Sequence, residues 1–262
     1  MRLIVNGLEV LASDGGSPRR PGRPLAIFLH GAGMDRSVWA TQTRAFPPRG
    51  LDVLAVDLPG HGGSDGAPLA DIGAMADWTL ALMTAAGAER ASLIGHSMGA
   101  LIALEAAARA PERIERLALV GVAAKMPVHP DLLAAAQAND HAAVDMVSLW
   151  SLGSAARGGC ATPGAWMLGG AERLLELSRP GVLHTDLAAC NAYRGALEAA
   201  AKVTAATTLI AGERDMMTPL KSARLLAEAI AGARLVALKG VGHLPMVEAP
   251  RETSAALKAA LL

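Results

Sequence analysis

Five polar side chains stand just behind five apolar runs of strand length. They are His30 after Leu25–Leu29, Asp57 after Leu51–Val56, Ser97 after Ala91–Ile94, Asp215 after Thr207–Ala211 and His243 after Arg234–Leu238. A serine, a histidine and a carboxylate are the parts of nucleophilic acyl chemistry. The hydroxyl is a weak nucleophile at neutral pH, so a base must take its proton and a carboxylate must orient and support the resulting imidazolium. Ser97 has the most telling surroundings. It lies in Gly95-His96-Ser97-Met98-Gly99-Ala100, between a short apolar strand and an alanine-rich helix expected over Ala100–Ala108. A serine in so tight a strand-to-helix turn takes strained backbone angles, and its neighbours two before and two after must be nearly free of side chain. The turn lifts the hydroxyl clear of the sheet edge, with helix N–H groups pointing toward it. A bare Gly-x-Ser-x-Gly also arises by chance, as a glycine-rich turn with an idle serine. The strand before it and the helix after it favour the reactive reading.

Of the seven histidines, His243 is the strongest candidate base, because it follows a strand and sits on a loop before the last helix. His30 reads as a fixed structural hydrogen-bonder and His61 as a brace of its glycine-rich loop. His96 adjoins the serine, so its ring points elsewhere from the turn. His129, His141 and His184 have no pattern that supports a pocket role. Asp215 is preferred as the carboxylate over Glu213, Asp57 and Asp65, since its turn beyond a strand end can aim it at His243. The competing reading is an Asx turn capping the helix that starts near Pro219. Acyl transfer also needs two donors aimed at the developing oxyanion, each typically worth ~3–4 kcal/mol. The Met98 N–H is one. The second is expected in His30-Gly31-Ala32-Gly33, at Ala32.

These groups require a scaffold that brings strand ends together. Strands and helices alternate from Leu25 to Val122 and again from Ala192 onward, which predicts an α/β fold: a mostly parallel central sheet with helices on both faces. Ligands of such sheets bind outside the carboxyl ends of the strands. An opening hairpin turns at Asn6-Gly7, Ser37 reads as the N-cap of a helix over Val38–Ala45, and Gly87 stops one over Ile72–Ala86. Between 124 and 192 the alternation breaks. Helix-like pieces at Pro130–Ala138, His141–Trp150 and Ala171–Leu177 are separated by Gly and Pro. This predicts a helical cap over residues 124–192, inserted into a core of residues 1–123 and 193–262. Leu244, Trp150, Trp166 and Met126 are the candidate substrate-contacting side chains, with Met146, Met167 and Leu183 as further candidates for the pocket wall or the cap's own core.

Hydrophobic residues make up 52% of the 262, which excludes a disordered chain, and only 3% are aromatic, so the pocket should be aliphatic and Met-rich. Lys and Arg number 24 against 24 Asp and Glu, with no charged block, so neither nucleic acid nor a membrane surface is an expected partner. No apolar run approaches the ~20 residues of a membrane helix. The N-terminus lacks the layout of a signal peptide, and a cytoplasmic location is expected. Cys160 and Cys190 have no metal-ligand spacing; they read as buried free thiols, although they could pair. No metal or other cofactor is expected. The chain is expected to act as a monomer or homodimer on a small-molecule ester-type substrate.

The segments HGAG, DLPGHGGSD, GHSMGA, GERDMMTP and GHLPMVEAP stand in the order and rough spacing of the α/β-hydrolase superfamily, which the chain resembles outside about 124–192. The resemblance implies Ser97 as nucleophile, Asp215 as acid and His243 as base. Some members carry the acid after the preceding core strand, but here that position reads Gly121-Val122-Ala123-Ala124. Serine at 97 argues against dehalogenase-type chemistry, which uses aspartate there. His96 departs from the Asn-Ser pair common among carbon–carbon bond hydrolases. The expected function is a serine hydrolase cleaving a carboxylic ester of small to medium acyl size through an acyl-enzyme. The alternatives are a lactone, thioester or carbon–carbon bond on the same residues, or a ligand-binding receptor or scaffold that retains the fold.

Overall fold

The computed structural model describes residues 1–20, 22–158 and 166–262. Its organising element is a sheet of eight strands: β1 (Arg2–Val5), β2 (Leu8–Ser13), β3 (Leu25–Leu29), β4 (Asp52–Val56), β5 (Ala91–His96), β6 (Ile114–Val120), β7 (Ala206–Gly212) and β8 (Arg234–Leu238). The spatial order is β1-β2-β4-β3-β5-β6-β7-β8. The first two strands pair antiparallel, and every pairing from β4 to β8 is parallel. Burial follows from this placement. β3, β4 and β5 are buried at every residue, as strands covered on both faces must be, whereas β1 and β8 at the edges are partly exposed.

Alternate residues of the central strands feed two cores, one on each face. Leu25, Ile27 and Leu29 of β3 join a core that includes the helices Ile72–Ala85 and Met98–Arg109. Ala26 and Phe28 point the other way, where the Phe28 ring meets Trp39 at 5.3 Å and Phe46 at 5.9 Å between centroids. After β3 the chain crosses to β4 on one side, and after β5 it crosses to β6 on the other. The crevice between the ends of β3 and β5 is therefore the topological switch point, where a ligand site is expected.

Among the described residues no strand lies between β6 and β7. The helices Pro130–Gln137, Ala142–Ser151, Ser154–Gly158, Met167–Glu176 and Val182–Ala192 occupy that interval, before Ala196–Lys202 returns to pack on Met98–Arg109. The helix Val182–Ala192 is not evident from sequence. Its buried residues, Val182, Asp186, Leu187, Ala189 and Cys190, share one face, but the polar Asp186 stands within that face and Ala188 and Ala192 lie opposite it, so no clean apolar stripe marks it. The first helix after β3 also differs from expectation. Asp35, not Ser37, is the cap: its Oδ1 accepts the Ser37 N–H at 2.7 Å and starts a 3₁₀ turn, Arg36–Trp39, that runs into Ala40–Thr43. Among the described residues no helix is long and apolar enough to cross a membrane.

A close backbone contact holds Met98–Arg109 against the sheet. A Cβ on Gly99 would lie 2.5 Å from the carbonyl oxygens of both Leu29 and His30, and one on Gly95 would lie 2.1 Å from the Gly99 oxygen. Backbone cannot yield as a flexible side chain does. Gly99→Ala should therefore destabilise by about 3 kcal/mol or more. Gly170→Ala, in a helix with open space at that position, should stabilise by ~0.5–1 kcal/mol. Urea unfolding of the two variants checks this; a Gly99→Ala midpoint equal to wild type would contradict the close approach.

Candidate active site

The tight turn after β5 gives Ser97 backbone angles of φ 53° and ψ −115°, and among the described residues it is one of three non-glycine residues with positive φ. Its N–H donates to the Val120 oxygen at 2.9 Å, while its own carbonyl accepts from Ala100 and Leu101 and so opens the helix. The side chain is thus held at the positive end of the Met98–Arg109 helix. The Met98 N–H is the first of that helix. Neither it nor the Ala32 N–H is engaged by another backbone carbonyl among the described residues.

His243 follows β8 on a loop fixed at several points. Its N–H donates to the Ser151 oxygen at 2.6 Å, and its ring Nδ1 lies 2.8 Å from Asp215 Oδ2. Among the described residues the ring's hydrogen-bond partners are Asp215 and Thr218. A carboxylate can only accept, so Nδ1 carries the hydrogen, and in the neutral ring Nε2 is left as the basic nitrogen. Such serine–imidazole contacts are often loose before substrate binds. Asp215 satisfies both readings made from its sequence. Oδ1 closes an Asx turn with the N–H groups of Met217 at 2.9 Å and Thr218 at 2.7 Å, and Oδ2 takes His243 and the Thr218 hydroxyl at 2.6 Å. Burial alone would raise this carboxyl, but the His243 charge and the His243 and Thr218 hydrogen bonds outweigh it and hold it below the ordinary range.

Sequence reasoning passed over two groups that shape this loop. Thr218 appeared only as part of a motif, yet its hydroxyl touches both members of the pair. Glu248 is buried and accepts the N–H groups of Gly153 at 2.9 Å, Gly242 at 3.0 Å and Leu244 at 3.3 Å, which fixes the His243 loop from behind. Burial raises the Glu248 carboxyl despite these bonds.

The remaining histidines sort by their partners. His96 donates from Nε2 to the His243 oxygen at 2.8 Å, its Nδ1 has no partner among the described residues, and burial lowers it to about 3. His30 donates from Nδ1 to the Gly31 oxygen at 2.9 Å and accepts the Leu58 N–H at 3.1 Å. Asp57 is a loop anchor: it accepts the N–H groups of Arg36 and Gly63, both at 2.8 Å, and pairs with the Arg36 guanidinium.

Ser97, His96, His243 and Ala32 open into one chamber of about 250 Å³. Its apolar wall includes Met34, Met126, Trp150, Leu183, Met216 and Met217, so the wall is Met-rich. Two expected contact residues lie elsewhere. Leu244 and Trp166 line a separate cavity of about 410 Å³ with Met167. Leu244, with φ −107° and ψ 61° at the start of the Pro245–Glu248 turn, shares that cavity with Val38 and Met246, apart from the chamber that His243 faces. Trp166 is 75% exposed, its ring folded over Gly169 at the start of its own helix. Cys190 is a buried free thiol on the chamber wall; Cys160 lies outside the described residues. Among those residues no group of three His, Cys, Asp or Glu side chains is arranged to hold a metal ion.

Residues 26–256 match the model of the alpha/beta hydrolase family. The chain belongs to that family. It is 32% identical over 250 residues to a pimeloyl-[acyl-carrier protein] methyl ester esterase of Aromatoleum aromaticum, an overlap of 88% of this chain and 95% of the relative. A putative carbamate hydrolase of Pseudomonas savastanoi pv. phaseolicola is 29% identical over 244 residues, 87% of this chain and 89% of the other. Among solved structures, the enol-lactonase from Burkholderia xenovorans LB400 superposes with a TM-score of 0.90 at 26% identity, covering 100% of this chain and 99% of that one. Fold and relatives together make this alpha/beta hydrolase an enzyme of hydrolytic type.

The buried rings predict an acid-side instability. His96 and His30 are both held below the ordinary histidine value when folded, chiefly by burial, and return to about 6.5 when unfolded. The unfolded chain then binds more protons, so the stability they contribute is full above pH 6.5 and is lost as the pH falls from there, down to about 3 in the case of His96. Each ring should add a slope that grows from about 1 kcal/mol per pH unit at pH 6 toward ~1.4 at pH 5. His96→Asn should remove one such share from unfolding free energies measured at pH 5, 5.5 and 6. An unchanged slope would mean that His96 titrates normally in the folded protein.

Proposed function

We propose that this hydrolase cleaves carboxylic esters of small to medium acyl size through an acyl-enzyme on Ser97. The observation that carries the reading is the Asp215–His243 hydrogen bond opening into the chamber that holds Ser97. In this scheme the substrate carbonyl sits over Ser97, and Nε2 of His243 takes the hydroxyl proton as Oγ attacks. Asp215 keeps the ring in the tautomer that can accept it and supports the imidazolium that forms. Negative charge growing on the carbonyl oxygen meets the Ala32 and Met98 N–H groups, which are positioned before reaction and lose nothing to reorganisation. The imidazolium then protonates the leaving alkoxide. Water, activated by the same nitrogen, attacks the ester on Ser97 and releases the acid.

Residues 124–192 act in this reading as a cap, since Met126, Trp150, Leu183, Leu187 and Cys190 supply much of the chamber wall. An aliphatic wall holds acyl chains by area, on the order of 25 cal/mol per Å², and discriminates weakly between neighbouring chain lengths. The esterase from Aromatoleum aromaticum makes methyl esters the first leaving group to try. Lactone opening by the same residues is the second reading, favoured by the whole-chain superposition on an enol-lactonase. A binding protein without turnover would have no use for two N–H groups left open beside a paired histidine.

The test is turnover of methyl esters and of p-nitrophenyl esters from acetate to dodecanoate. Short and medium chains should be preferred, with changes of roughly 10-fold in kcat/KM per added methylene. Ser97→Ala should lower kcat by ~10⁴-fold or more with the fold intact, and Asp215→Asn by less, because it disturbs orientation and spares the nucleophile. Trp150→Ala should shift chain preference and leave the chemistry in place. If Asp215→Asn ran at the wild-type rate while Glu213→Gln did not, the carboxylate would be misassigned. Turnover of lactones with none of any ester would select the second reading.

A further inference from the structure

A second buried carboxylate–histidine pair lies outside this machinery. Asp186, fully buried in Val182–Ala192 of the insertion, accepts from His61 at 2.8 Å and from the Gly33 N–H at 2.8 Å, both on Oδ2. The other His61 nitrogen, Nδ1, faces the Pro59 oxygen at 2.9 Å. A carboxylate and a carbonyl both need a hydrogen from the ring, so His61 is held as an imidazolium. Burial opposes that charge, but the Asp186 bond and charge, the Pro59 carbonyl and nearby Asp57 together raise His61 above the ordinary value. Asp186 Oδ1 is buried with no partner among the described residues. A buried ion pair with an orphaned oxygen stabilises less than an apolar filling of the same space would. What the pair does add is position.

Gly33 adjoins Ala32, and two consecutive peptides of this loop are clamped. His30 donates to the Gly31 oxygen, which belongs to the same peptide plane as the Ala32 N–H, and Asp186 accepts the next N–H along. The His30 and His61 rings pack at 4.8 Å between centroids, so the two clamps brace each other. Arg179 of the insertion also donates to the Gly62 and Ser64 oxygens of the His61 loop, at 3.2 and 2.8 Å.

We propose that Asp186 and His61 are positioning residues for the oxyanion site: through Gly33 they fix the Ala32 N–H, and they make full activity conditional on the insertion being seated on the core. The proposal rests on the ester reading above for the use made of Ala32. Asp186→Ala should lower kcat for p-nitrophenyl butyrate about 10- to 100-fold, with KM within about twofold, because a misplaced donor fails chiefly in the transition state. Asp186→Asn keeps an oxygen for both donors and should recover most of the rate. His61→Gln supplies the second route if Asp186→Ala does not fold, with the same kcat-weighted loss. A folded Asp186→Ala with a lowered Tm and unchanged kcat would reduce the pair to a structural brace and overturn the proposal. So would a rise in KM alone. Hydrogen exchange over residues 30–34 gives an arm independent of turnover. Asp186→Ala should accelerate it, and unchanged exchange would contradict the clamp even if the wild type hydrolysed no ester.

Discussion

The contact on which the rest of this structure depends is the approach of the Met98–Arg109 helix to the ends of β3 and β5. Gly95 and Gly99 leave no room for a side chain between helix and sheet, and Ser97 is forced to positive φ as a result. That one constraint exposes the hydroxyl, aims the first helical N–H and brings the loop after β3 alongside. The strain is local and is balanced by two apolar cores that grip the sheet from both faces. If helix and sheet stood an ångström further apart, the proposed nucleophile Ser97 and the proposed oxyanion donors at Met98 and Ala32 would no longer converge on one substrate atom.

Around that point four buried histidines have been given different jobs by their neighbours. His243 has a carboxylate on one nitrogen and the chamber on the other. His96 has a carbonyl on one nitrogen and, among the described residues, no partner on the other, and burial keeps it neutral. His30 has one donor and one acceptor, which fixes its tautomer. His61 faces two acceptors and is held charged. The ring is the same in each case, and the hydrogen-bond partner decides its protonation state.

Much of this was legible in sequence for a physical reason. A parallel sheet gives each strand end an address, so polar residues behind apolar runs could be collected on one side of the molecule before any contact was known. Position alone pointed Asp215 toward His243, and the structure sets them 2.8 Å apart. Contacts that depend on side-chain direction were not legible. Leu244 and Trp166 stood beside informative residues, yet the turn into Pro245–Glu248 and a ring folded over Gly169 put them on a different cavity. Asp186 was hidden twice over: its helix shows no amphipathic stripe, and its partners lie 125 and 153 residues away. Glu248 was visible only as a letter in a motif, because its acceptor role is to backbone, which carries no sequence signal.

The central claim is that Ser97 carries the acyl group during turnover. The most direct measurement mixes the protein with excess p-nitrophenyl ester, quenches with acid within the first turnovers and weighs the intact chain. The account predicts a mass gain equal to the acyl group, confined after digestion to the peptide that contains Ser97, and absent from Ser97→Ala. Ester hydrolysis with no adduct at any quench time, or with the adduct on another residue, would contradict it.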